Sequence, residues 1–266
     1  LKLSGLIKFD KIFENFVLQG IAGKEFNFNG NISLHDLSLK IPILNYFKEK
    51  NNKANIKFKM DSSIFNYNID NLIYLSGKSK IVLDLIKLNK KFEIQDLKKI
   101  KVKTFKNSIK NNDFQIAKQS TLKNNIFISG ELFDAEPLLK SLYKTNDKKI
   151  FSKDFNSEIK INFDKAITGT NDDISNFATI ASIKRGTYNK LSLKGNFSEN
   201  EIIEMSIYQV DGNKRTLQVI SDRARPFVKN FDFIKGFEDG KLEYESFITK
   251  DEINSNLLVT DFKVSK

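Results

Sequence analysis

Few residues in this 266-residue chain could perform chemistry. It has no Cys and a single His, His35, so disulfides, Cys-ligated zinc, iron–sulfur clusters and His-rich metal sites are excluded. Nucleophilic catalysis through an imidazole would have to run through His35, whose neighbour Asp36 suggests a His–carboxylate pair. A polar residue at a strand end is the plainer reading. Two acidic clusters, Asp172-Asp173 and Glu199/Glu201/Glu204, lack the spacing of a calcium loop and read as solvated turns. Gly20-Ile21-Ala22-Gly23-Lys24 has two residues between its glycines where a phosphate loop needs four. No Ser or Thr follows the Lys. Carboxylate-based glycan hydrolysis would need two acids converging in one pocket, and no motif nominates such a pair. The expectation is a chain that makes and breaks no bond, with no cofactor and no metal.

The cations point the same way. Lys and Arg number 44 against 33 acids, a formal +11, but the lysines are spread among Asn, Ile and Phe. The densest run, KKIKVKTFK (Lys98–Lys106), interleaves Lys with Ile100, Val102 and Phe105. That alternation describes a strand with one wet face better than a polyanion site, and no nucleic-acid partner is expected. Arg223 and Arg225 flank a predicted helix start, where guanidinium and free N–H groups suit a lipid phosphate. An exposed first turn, with Arg paired to Asp222, is the simpler alternative.

The elements that would carry these residues are strands. Apolar side chains alternate with Lys, Asn, Ser, Glu or Thr along most of the chain. Ile159, Ile161 and Phe163 share one face, as do Leu191 with Leu193 and Ile203 with Met205 and Ile207. Leu217 with Val219 and Leu242 with Tyr244 follow the pattern. In the N-terminal half Ile56, Phe58 and Met60, then Phe65, Tyr67 and Ile69, do the same. Such alternation marks antiparallel sheet with one apolar and one solvated face. Turn signals at Arg185-Gly186, Ser198–Asn200, Asp211-Gly212-Asn213, Asp239-Gly240 and Lys250–Glu252 imply a meander over 155–264. Short helices are expected over 134–145, capped by Asp134 with Pro137 in the first turn, and over 222–235, capped by Ser221 or Asp222. A third begins at Pro42. The polar segment 111–125 reads as a linker or loop between an N-terminal β-groove segment (1–110) and a C-terminal β segment (126–266), although one sheet could cross it. No apolar stretch approaches the length of a membrane span. The chain lacks an initiating Met and stops inside a predicted strand, as a piece of a longer protein would.

Residues Ile126–Lys140 (IFISGELFDAEPLLK) resemble a segment of the AsmA-like proteins, in particular their YhdP-type branch, in which "I-x-G-x-x-x-D-x-x-P-L-L" precedes a hydrophobic helix. Phe155–Thr168 and Ile174–Gly195 are similar to the strand and hairpin that follow there. Residues 217–264 resemble the family's most recognisable stretch: an "S-D-x-A" turn (Ser221–Ala224), a short helix, then "G-G-x-L". Asp239-Gly240 stands here in place of the glycine pair. The resemblance covers about 125–264 and rests on structural motifs. It implies a periplasmic, inner-membrane-anchored protein of Gram-negative bacteria. There a curved open sheet, a β-groove or half-barrel, shields phospholipid tails between the inner and outer membranes. Outer-membrane components are further implied partners. The groove lining is expected at Ile159, Ile161, Phe163, Leu191, Leu193, Ile203, Met205, Ile207, Leu217, Val219, Leu242 and Tyr244. The same alternation also suits a β-sandwich or adhesin-like module with a closed core and no ligand.

Overall fold

The computed structural model describes residues 1–119, 125–141, 155–185, 187–211, 214–228, 237–249 and 252–264. It is almost entirely strand. The N-terminal half comprises β1 (Lys2–Phe9), β2 (Ile12–Ile21), β3 (Asn27–Ser33), β6 (Ala54–Ser62), β7 (Asn66–Ser76) and β8 (Ser79–Asn89), with β9 (Ile94–Leu97), β10 (Lys99–Lys106) and β11 (Ile109–Gln119). A small hairpin, β4 (Leu39–Ile41) and β5 (Tyr46–Lys48), is inserted between β3 and β6. The second half comprises β12 (Asn125–Asp134), β13 (Ser157–Ile167), β14 (Ile174–Lys184), β15 (Thr187–Asn196), β16 (Ile202–Asp211), β17 (Lys214–Ser221), β18 (Phe237–Ile248) and β19 (Ile253–Val264). Two short helices, α1 (Glu136–Ser141) and α2 (Arg225–Val228), interrupt it.

Apart from the small hairpin, these strands form one 17-stranded sheet. Pairing runs in chain order from β1 to β8, omitting the hairpin. Strands β9 and β10 lie end to end along β8. From β10 the ladder continues through β11 to β19. The sheet is not closed into a barrel. At about 4.8 Å per strand it is roughly 75 Å wide. The accessible surface is 16841 Å2, against roughly 12,000 Å2 for a compact protein of this mass. A sheet without a second sheet packed over it accounts for such an excess.

One expectation about the ladder is corrected. The segment 111–125 is not a linker along its first nine residues: 109–119 form β11, paired with β10 and β12. Its polar character has a structural cause. Asn112 donates to the Leu44 carbonyl (2.7 Å) and to Thr104 Oγ1 (2.9 Å), and Asn111 donates to the same carbonyl (3.1 Å). Buried amides meeting buried acceptors look, in sequence, like a loop. The meander expected over 155–264 is present, with β13 to β19 pairing antiparallel in chain order, and it joins the preceding strands through one parallel pair, β12 with β13. Parallel neighbours need a long crossover, and the chain from α1 to residue 156 supplies it.

Both helices start later than predicted. α1 begins at Glu136, with Pro137 in its first turn, and Asp134 accepts the Glu136 N–H (3.2 Å). α2 begins at Arg225, so neither Ser221 nor Asp222 caps it. Ser221 Oγ accepts the Arg223 N–H, and Asp222 accepts the Ile202 N–H. The remainder of both predicted helices, and the tips of the turns at 186, 212–213 and 250–251, lie outside the described residues. Pro42–Leu44 forms a single 3-10 turn within the inserted hairpin.

Candidate functional site: the apolar inner face

Directly paired residues in a ladder project from the same face of a sheet, so the registers trace each face across the molecule. One row begins at Leu72 on β7 and passes through Leu83, Ile100, Ile116, Ile128 and Ile161. It continues through Thr179, Leu193, Met205, Val219 and Tyr244 to Leu257 on β19. Every member but Thr179 is apolar. All twelve residues expected to line a groove sit on this inner face. The basic run obeys the same alternation: Ile100 and Val102 point inward while Lys99, Lys101 and Lys103 line a concavity of about 690 Å3 on the outer face.

Burial divides the twelve. Ile161, Leu191, Leu193, Met205, Ile207 and Tyr244 are half-buried. Ile159, Phe163, Ile203, Leu217, Val219 and Leu242 are buried outright and are corrected from lining to core. Phe163 shows the reason. It stacks on Phe133 (centroids 4.9 Å apart) and meets Phe114 edge-on (5.6 Å). Phe177 completes the group. Ile203 and Leu242 belong to the same core cluster as Ala224, Phe227 and Val228 at α2.

Three pieces close this end of the trough, where β12, β13, β15 and β17 terminate. α1 and α2 are two. The third is the inserted hairpin, which reaches from the β3–β6 connection across to β11 and β12. Tyr46 hydroxyl meets Tyr74 hydroxyl (2.8 Å), and Asn45 donates to Asp134 and Glu136 (both 2.9 Å). Its base is clamped from both sides. The Glu14 carboxylate accepts the His35 and Leu37 N–H groups, while Lys48 Nζ donates to the carbonyls of the same two residues. Burial lowers the Lys48 pKa, opposed by the nearby charges of Glu14 and Asp36. Burial first, and then the hydrogen bond with Tyr46, raise the Tyr74 phenol well above its ordinary value.

The opposite end differs in its N-terminal half. Phe26, Phe28, Phe58, Met60, Tyr67, Ile69, Ile86 and Leu88 present a continuous apolar surface on β3 to β8 in which each side chain is half-buried and none is sealed. Phe58 lies flat over Gly30, its cross-strand partner. A Cβ at Gly30 would stand 2.3 Å from the ring. This region was absent from the expected lining. Its signal is the alternation of Phe and Asn in KEFNFNGNIS (24–33), masked by the Asn content.

The polar candidates are occupied or exposed. Arg223 pairs with Glu201 (2.9 Å) and Asp239 (3.4 Å), and Arg225 with Asp172 (2.7 Å). Both guanidiniums are thus paired with carboxylates other than Asp222. Asp172 raises the Arg225 pKa further through that hydrogen bond. His35 Nε2 stands 4.0 Å from Asp36, both exposed, too far for a hydrogen bond. Asp173 pairs with Lys165 and Glu204 with Lys194. Gly20 to Gly23 lead from β2 into its turn. Among the described residues no three His, Asp or Glu side chains group as metal ligands, and no helix is long and apolar enough to cross a membrane. No family model, curated protein or solved structure matches this chain.

Proposed function

We propose that this chain is a non-enzymatic segment that shields lipid tails along its inner face. In this reading it belongs to an AsmA-like protein anchored in the inner membrane and carries phospholipid across the periplasm. The observation that carries it is an open sheet whose apolar face is half-covered over β3 to β8 and over the β15, β16 and β18 residues named above. Apolar contacts are non-directional and worth about 25 cal/mol per Å2 buried. An acyl chain against such a face has many positions of similar energy and can slide. No single side chain is then indispensable.

Mass spectrometry of lipid extracted from protein purified without added lipid tests this directly. Phospholipid should be recovered. Paired Met60→Asp and Ile69→Asp substitutions should reduce its yield while leaving the far-ultraviolet circular dichroism intact. Ile161→Asp with Met205→Asp should do the same from the other half. Lipid-free protein with unchanged stability would favour a closed-core structural module, the reading to which the sealed end is best suited.

A further inference from the structure

We infer that the unsealed end of the sheet is a membrane-docking rim that inserts into an anionic bilayer surface. This extends the proposed function by assigning the end at which lipid would enter. Three successive connections meet there: β2–β3, β6–β7 and β8–β9. They carry four of the most exposed large apolar side chains among the described residues, Ile21 (73 %), Ile64 (72 %), Phe65 (75 %) and Phe92 (66 %). Exposed apolar groups on one turn are ordinary; three adjacent turns bearing them form a patch.

The turns are held together. Ser62 N–H donates to the Phe26 carbonyl (2.9 Å), and Phe26 N–H donates to Ser62 Oγ (3.1 Å), joining the first two. Lys90 Nζ donates to the Ser63 carbonyl (2.9 Å) and lies 4.1 Å over the Tyr67 ring, joining the second to the third. Phe92 stacks on Tyr67 (5.2 Å), and Tyr67 on Phe26 (6.2 Å). A line of rings therefore leads from the rim onto the inner face at Phe28. The charge around it suits an anionic surface. Lys24, Lys90 and Lys91 are exposed on these turns, against Glu25 and the half-buried Glu93, so the turns carry three cations to two carboxylates, with Glu93 turned back to accept a hydrogen bond from Asn89 (2.7 Å). Apolar side chains that enter the headgroup layer beside lysines that meet anionic lipid are the two components of interfacial binding.

The chain contains no Trp, so Phe65→Trp places a unique fluorophore at the rim. Its emission should shift to the blue with vesicles of phosphatidylcholine and phosphatidylglycerol, and far less with phosphatidylcholine alone. Ile109→Trp, equally exposed (72 %) at the opposite end, should not shift. In co-sedimentation, Ile64→Ser with Phe65→Ser should weaken binding about tenfold or more. Lys24→Glu with Lys91→Glu should remove the preference for anionic lipid. An unshifted Phe65→Trp spectrum, or equal shifts at both ends, overturns the inference. Lipid recovered from protein that ignores vesicles would refute the rim alone; vesicle binding by lipid-free protein would refute the conduit alone.

Discussion

The sealed end and the unsealed end belong to one sheet yet solve the problem of an apolar sheet face differently. At the sealed end, around Phe163, the face is covered by α1, α2 and the inserted hairpin, and aromatic rings interlock. At the other, around Met60 and Tyr67, the described residues place no helix or hairpin over it, and its side chains stay half-buried. Identical alternation along the strands thus yields a core in one place and a surface in the other. What separates them is the insertions, not the strands.

The contrast should be largest in core truncations. Phe163→Ala removes a ring packed against three others and should cost about 3–5 kcal/mol by denaturant unfolding. Met60→Ala should cost less than about 1.5 kcal/mol, because its side chain is already half in contact with solvent. Equal losses would mean that the two ends are packed alike. Gly30→Ala forces the Phe58 ring off its partner and should cost about 1–3 kcal/mol, a local defect at the unsealed end read by the same method.

A smaller effect tests the hairpin latch. In the unfolded chain Tyr74 ionises near pH 10, whereas in the fold its pKa is raised. The contribution from keeping it neutral is therefore complete below about pH 10 and is lost as pH rises above it. Tyr74→Phe should flatten the fall in urea midpoint between about pH 9 and about pH 11. An unchanged slope would place the alkaline sensitivity elsewhere. The smallest effect belongs to Arg223→Gln, which breaks a half-exposed ion pair. It should cost less than about 1 kcal/mol and leave lipid recovery unchanged.

Much of the sheet was legible because alternation is a local property. Spacing alone places Ile161, Leu193, Met205 and Tyr244 on one face, and the registers agree. What alternation could not convey was cover. Whether Leu193 or Leu217 meets solvent depends on α2 and on the hairpin at 39–48, far away in sequence. β11 was hidden because Asn111 and Asn112 satisfy a carbonyl from that hairpin. Local irregularities also change which face a residue joins. Asn71 adopts a positive φ of 49°, and Ile69 before it and Leu72 after it, three residues apart, both turn inward.

The unpaired margins at β1 and β19 have a mechanical meaning. A closed cylinder has its girth fixed by strand number and stagger, whereas here, among the described residues, no ladder ties the first strand to the last. The two flanks can spread or draw together without rupturing any of the pairing between them. The cross-section between them is accordingly set by packing across the trough and not by a closed ladder.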